Sequence, residues 1–320
     1  MKLTPTQRRS RPTPSARAPR AAAVAPAASA RARSAGTAAP AAAQRPRLDD
    51  IGYWPALSLD IVREYATAFS RIVGRQPGLT HYYVEAFAPG GVGRPGDQLA
   101  PGNPLNGLLV TPPFRHHYLV ALGGARVGAL APAVAKRIDV TLCDGDGNQV
   151  LREEILPRVR SEDYRRALCV LGPCGLDLDW DVVEKAGRLR TIDLFLSLPV
   201  ADAAGSALWA SDHRFAAAQR ERMKRFWGDE SWREATDPAI TRDRAARGPA
   251  PGGPAGAAVA RAFRNRLGDV AGFANVPEPL PLRNRDGAVV HYLFFGARNG
   301  VANEVVEGLF ARYRRDEPEA

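Results

Sequence analysis

The chain has 320 residues, enough for one large α/β domain or two small ones, and no apolar run approaches the ~20 residues of a membrane-spanning helix. Its formal charge of +10 says little about partners, because ten of the 44 basic residues and none of the 34 acidic ones lie in residues 1–47. The 34 basic residues that remain are matched by 34 acidic ones, so the body is neutral and gives no support to a nucleic-acid-binding face on the folded part.

Residues 1–48 are Ala, Pro, Arg and Ser with almost no large apolar side chain, which cannot offset the entropy of ordering; they are predicted to be a disordered tail. The Ala-rich stretch from Ala21 to Ala30 is broken by Pro26 and Ser29, and it makes a poor signal-peptide core. A solvated tail is the plain reading and is preferred here, because such tails are common; a weak polyanion-binding arm is the sharper one. The three cysteines, Cys143, Cys169 and Cys174, form no C-x-x-C pair; an odd, sparse count fits a reducing cytoplasm and predicts no metal site.

Apolar residues at helical spacing from Leu57 to Val73 predict a helix, stopped by Gly74 and Pro77-Gly78. A strand follows over Thr80 to Ala86, then a Gly- and Pro-rich loop from Pro89 to Pro104 and a short helix to Val110. Strands at His117–Leu122, Ile138–Leu142, Ala167–Leu171 and Thr191–Leu198 alternate with helices at Ala125–Ala135, Gln149–Arg160 (interrupted by Pro157) and Trp180–Ala186, the last with Asp179 as N-cap. Five strands with helices between them predict an α/β fold: a mostly parallel sheet covered on both faces.

Later, Ala216–Phe226 reads as a basic-faced helix, residues near 240–257 as a flexible low-complexity insert, and Ala257–Leu267 as a helix. The Asn284-Arg285-Asp286-Gly287 turn between Leu280–Arg283 and Ala288–Phe295 predicts an antiparallel hairpin, and Val301–Arg314 a final helix. Residues 49–320 are thus expected to form a single domain.

A wound α/β order closing in a hairpin resembles the Rossmann-like S-adenosylmethionine methyltransferases. Several strings narrow the resemblance: Tyr83-Val84-Glu85-Ala86-Phe87-Ala88, Gly145-Asp146-Gly147-Asn148, Gly172-Pro173-Cys174-Gly175, Phe226-Trp227-Gly228 with Trp232, and Pro281-Leu282-Arg283-Asn284 before Tyr292-Leu293-Phe294-Phe295. Together they are similar to the three-Cys-motif partner protein family over roughly residues 52 to 315. The resemblance implies a methyltransferase-like fold, a bacterial setting, a cysteine-motif partner protein and S-adenosylmethionine as cofactor. It implies cofactor contacts from Glu85, Phe87, Gly90, Gly91, Asp146 and Asn148, and a target site at Gly172, Pro173, Cys174 and Gly175.

In this fold the cofactor lies across the C-terminal ends of the first strands. Pro89 stands where the first turn usually has Gly; it fixes φ and removes an N–H. Val120-Ala121-Leu122-Gly123 lacks the carboxylate that normally holds ribose hydroxyls, a loss of roughly 1.5–3 kcal/mol. Asp144-Gly145-Asp146-Gly147-Asn148 places Asp146 for an adenine amino group and Asn148 for a helix cap, although a turn and a cap alone also explain the string and are preferred. Gly172-Pro173-Cys174-Gly175 lacks both the amide or carboxylate and the stacking ring of related enzymes, and no neighbouring His in sequence supports Cys174 as a nucleophile. The expected function is therefore a divergent three-Cys-motif partner with weakened or lost cofactor binding, acting as a partner or scaffold. The alternative is an active S-adenosylmethionine-dependent methyltransferase acting on nucleic acid.

Overall fold

The structure, a computed structural model, describes residues 54–87, 106–172, 176–200, 213–236, 254–284 and 287–315. The tail and the insert expected near 240–257 fall largely or wholly outside these residues, as do Gly90, Gly91, Pro173, Cys174 and Gly175.

Helix α1 (Trp54–Gly74) leads into β1 (Thr80–Ala86), whose bounds are those the sequence predicts. A 3-10 turn (Asn106–Leu109) precedes β2 (His116–Ala121), α2 (Gly124–Val134) and β3 (Val140–Asp144). The next segment departs from expectation. In place of one helix over 149–160, a single turn, α3 (Gly147–Gln149), runs into a π-helical stretch at Val150–Ile155 and a 3-10 turn at Leu156–Arg158. Leu156 donates its N–H to the Leu151 carbonyl, five residues back. Pro157 has no N–H to continue an α-helical ladder, which accounts for the change of winding before it.

The chain continues through β4 (Arg165–Leu171), α4 (Trp180–Leu189), β5 (Ile192–Pro199), α5 (His213–Trp227), α6 (Trp232–Thr236) and α7 (Pro254–Asp269). It closes with β6 (Leu280–Arg283), β7 (Val289–Gly296) and α8 (Gly300–Arg315). Asn284 holds the hairpin turn: its Oδ1 accepts from the Ala288 N–H at 2.9 Å, and Gly287 takes the positive φ (75°) that L side chains disfavour.

The seven strands form one sheet in the order β3-β2-β1-β4-β5-β7-β6. β1 to β5 pair in parallel, and β7 runs antiparallel to both β5 and β6. This order, with the penultimate position reversed, is the methyltransferase-like Rossmann topology. Alternation along the strands loads both faces. Tyr83, Leu168, Phe195 and Phe295 point to one face, where α1 buries Ile61, Tyr65 and Phe69 and α8 buries Val306 and Phe310. Val84, Cys169, Leu194 and Phe294 point to the other, under Trp180 and Val183 of α4, Phe226 of α5 and Phe263 of α7.

Phe263 is the hub of that second layer. Its ring lies 5.2–5.9 Å from those of Trp180, Phe226, Trp227 and Phe294. Truncating it to Ala removes all four contacts, at a cost of about 3–5 kcal/mol. Asp179 occupies the N-cap position of α4 but makes no capping hydrogen bond; its Oδ1 accepts from Arg225 Nε of α5 at 3.1 Å instead.

Candidate functional site

Parallel strands of this topology open their ligand crevice at the carboxyl ends, so the site is sought where β1 to β4 stop. Those ends are drawn together by backbone bonds: Gly172 donates to the Ala86 carbonyl at 3.2 Å, and Gly145 to the Ala121 carbonyl at 3.1 Å.

Glu85, the penultimate residue of β1, shares the face of Tyr83 because side chains two apart point the same way. That face is covered by α1 and the 3-10 turn. Glu85 is 6% exposed, and its Oε2 accepts from the Tyr83 hydroxyl at 2.9 Å. Burial pushes its pKa up to about 8, against the lowering effect of that hydrogen bond, so the carboxyl keeps its proton at neutral pH. Tyr83 is fixed in turn, with its ring against Phe114 and His117.

Phe87 follows β1 with φ of 59°, a left-handed conformation that costs a non-glycine residue about 1–2 kcal/mol. Its ring lies against Gly147 at the entry to α3, and a Cβ built on Gly147 would come within 2.7 Å of the ring edge. The contact ties the tip of β1 to the tip of β3 and explains why a glycine stands at 147.

Asp146 is the N-cap of α3. Its Oδ1 accepts from the backbone N–H groups of Asn148 (2.8 Å) and Gln149 (3.3 Å). Asn148 is not the cap; it is buried and bridges to the approach to α4. Its Nδ2 donates to the Asp177 carbonyl and its Oδ1 accepts from the Asp179 N–H, both at 2.8 Å. The same approach is gripped from α5 by Arg222 on Asp177 (2.7 Å) and Arg225 on Asp179. Gly172 ends β4 beside Ala86, while its sequence neighbours Pro173, Cys174 and Gly175 lie outside the described residues, as do Gly90 and Gly91.

The tip of β2 carries no acid of its own, and Leu122 there is 63% exposed. The sequence argument missed Asp144. This last residue of β3 pairs with Ala121, and its Oδ1 accepts from the Gly123 N–H at 3.0 Å. Oδ2 makes no hydrogen bond among the described residues. The register of β2 on β3 would have revealed it, because a carboxylate one strand over reaches the same tip.

His117, His291, Cys143 and Cys169 are wholly or partly buried. His117 is buried, with Nε2 at 3.2 Å from the Gly107 carbonyl and Nδ1 at 3.4 Å from the Asp139 carbonyl. His291 sits against Ser197, and burial lowers its pKa to about 4. The Cys169 thiol is pushed up by burial to about 12, and Cys143 is raised for the same reason. Neither is a thiolate nucleophile at neutral pH. Among the described residues, no group of three or more His, Cys, Asp or Glu side chains could hold a metal ion, and no helix is long and apolar enough to cross a membrane.

No protein-family model and no curated protein matches this chain. Among solved structures it is similar to LPL1258 from Legionella pneumophila str. Philadelphia 1, described under DUF519, at 13% identity over 52% of this chain and 73% of that one, with a TM-score of 0.31. It is also similar to two plantazolicin methyltransferases, each aligned over 77% of this chain and 86% of the other. BpumL, solved with SAH, shows 10% identity and a TM-score of 0.31. BamL, solved with SAH and a triazolic desmethylPZN analog, shows 8% identity and a TM-score of 0.32. At such TM-scores the fold assignment rests on the strand order itself.

Set against the needs of S-adenosylmethionine, the described strand tips fit only in part. An adenosyl cofactor wants an ionised acceptor for its ribose and a free acceptor for its adenine amine. Here Glu85 is buried against Tyr83 on the α1 face, Asn148 is spent on backbone groups and the Phe87 ring covers Gly147, whereas Asp144 and Asp146 each keep Oδ2 without a hydrogen bond among the described residues.

Proposed function

We propose that this protein is a divergent three-Cys-motif partner type of protein, in which the methyltransferase-like fold serves as a docking scaffold and the nucleoside crevice has lost most of its grip. One observation carries the reading: the acidic side chain of the first strand tip is buried and paired with Tyr83, and that burial, which raises its pKa to about 8, leaves it little charge to offer a ligand at neutral pH. The commitment of Asn148 and of Asp146 Oδ1 to the local fold supports it. The partner is a cysteine-motif protein, inferred from the sequence strings described above.

Isothermal titration of the full chain with S-adenosylmethionine is expected to give a Kd weaker than about 1 mM, equivalent to less than ~4 kcal/mol of binding. Co-expression with a cysteine-motif protein encoded nearby is expected to yield a complex that survives purification. Micromolar cofactor binding with methyl transfer overturns the reading.

Asp144 favours a second reading, an active S-adenosylmethionine-dependent methyltransferase acting on nucleic acid, because it brings one exposed carboxylate to the tip where β2 has none. In that case Asp144→Ala abolishes cofactor binding while leaving the unfolding transition in place.

A further inference from the structure

The opposite, amino-terminal edge of the sheet holds a cavity of about 460 Å³, within the range of small-ligand sites. The second half of α1, the starts of β4 and β5, and the entry to α8 line it. One side of it is apolar, from Phe69, Val73, Leu79 and Val305, while Gln76, Thr191 and Asn299 add neutral polar groups. Its border includes two exposed aliphatic side chains, Ile72 at 41% and Val301 at 50%. Surface residues of this size are usually scattered singly; here two border one cavity.

The polar lining is unbalanced. Arg166, Arg190 and Arg298 line the cavity together with a single carboxylate, Asp193. Asp193 already has a partner, since its Oδ2 accepts from the Tyr65 hydroxyl at 2.6 Å. Arg166 donates to the Arg165 carbonyl at 2.8 Å. Among the described residues, the guanidinium groups of Arg190 and Arg298 have no hydrogen-bonding or ionic partner. Arg190 is also held at a left-handed backbone position (φ 57°) at the end of α4, where its N–H donates to the Gly187 carbonyl at 3.2 Å. The result is a half-open cavity with one apolar side and two exposed, uncommitted, always-charged forks at its border, the chemistry that recognises a carboxylate or phosphate carried on an apolar body.

We propose that this cavity binds a small amphiphilic anion, its apolar body against Phe69 and Val305 and its anionic head on Arg190 and Arg298. The site is separate from the strand-tip crevice and stands whether or not that crevice holds a cofactor. No residue of the crevice lines it.

Isothermal titration of the full chain with octanoate and with octyl phosphate tests the proposal. At least one is expected to bind with a Kd of about 1 mM or tighter, and the stronger of the two identifies the head group. In the double variant Arg190→Gln/Arg298→Gln, which alters only exposed side chains, the affinity is expected to fall at least tenfold. Ala302→Phe, which fills the chamber from α8, is expected to lose binding with the arginines intact. The proposal is overturned by the absence of binding to either probe at 10 mM, or by equal affinity in the double variant. Equal binding of octyltrimethylammonium, which means unspecific uptake of an amphiphile, overturns it as well. So does equal binding of acetate or inorganic phosphate, which means that the apolar side contributes nothing.

Discussion

The two edges of the sheet spend their polar groups in opposite ways. At the carboxyl edge, where the topology places a ligand, Glu85 is bonded to Tyr83, Asp146 caps α3 and Asn148 latches the approach to α4. At the amino edge, where the topology predicts nothing, two arginines border a half-open cavity without partners among the described residues. A side chain that satisfies its own backbone stabilises the fold but is no longer available to a ligand. Fold therefore tells where a site usually is, and the state of each polar atom tells whether it is still there.

The comparison can be broken most sharply at Glu85. Its folded pKa of about 8 lies above the ordinary carboxyl value of 4.5. The unfolded chain thus gives up this proton first, and stability must fall as pH rises between those values, by up to about 1.4 kcal/mol per pH unit. His291, with its folded pKa lowered to about 4, acts in the opposite sense below pH 6.5, so the slope is read cleanly between pH 6.5 and 8. Urea unfolding of Glu85→Gln is expected to show a flattened profile in that window and, at pH 8, a gain on the order of 3 kcal/mol over the native chain. An unchanged slope means that Glu85 is ionised and free to serve a ligand.

Gly147→Ala comes next. Its new Cβ meets the Phe87 ring, so a loss of about 1–3 kcal/mol is expected in the same unfolding assay. If stability is untouched, the ring is free to leave, and the crevice can open. Asp146→Ala is expected to cost about 1 kcal/mol, the worth of a helix cap, with no effect on titration with S-adenosylmethionine. An effect on affinity without one on stability reverses the assignment. The smallest change is expected from Arg225→Gln, which breaks a half-exposed pair with Asp179; less than about 1 kcal/mol should be lost.

The layout of the fold was legible because it is local. β1 and β6 have the predicted bounds, and α1 shows its buried stripe in the spacing of Leu57, Ile61, Tyr65 and Phe69. Pro157 announced a break but not the π-helical winding before it, since that depends on where the freed carbonyls find donors. Asp179 carried a cap-like sequence signal, yet Arg225, 46 residues on, claimed its carboxylate. The site was legible only in part for the same reason. Residue type marked Glu85 as an acid at a strand tip, but only the neighbouring Tyr83 and the depth of burial decide that it stays protonated. The amino-edge cavity had no linear signature at all. Its arginines come from the start of β4 (Arg166) and from the connections after α4 (Arg190) and β7 (Arg298), and they share one cavity only because these parts of the fold abut.

The reversed strand β7 has a consequence for biosynthesis. It is wedged between β5 and β6 and places Phe294 and Phe295 on opposite faces of the sheet. A ribosome that has delivered the chain through β6 has still not sealed the flank of β5, whose alternate residues are already committed to two greasy layers. Until residues 289–296 emerge, that flank remains a row of unpaired amides and carbonyls open to any passing strand. A chain cut short anywhere before residue 289 would then be left with an open β5 flank and a strong tendency to aggregate.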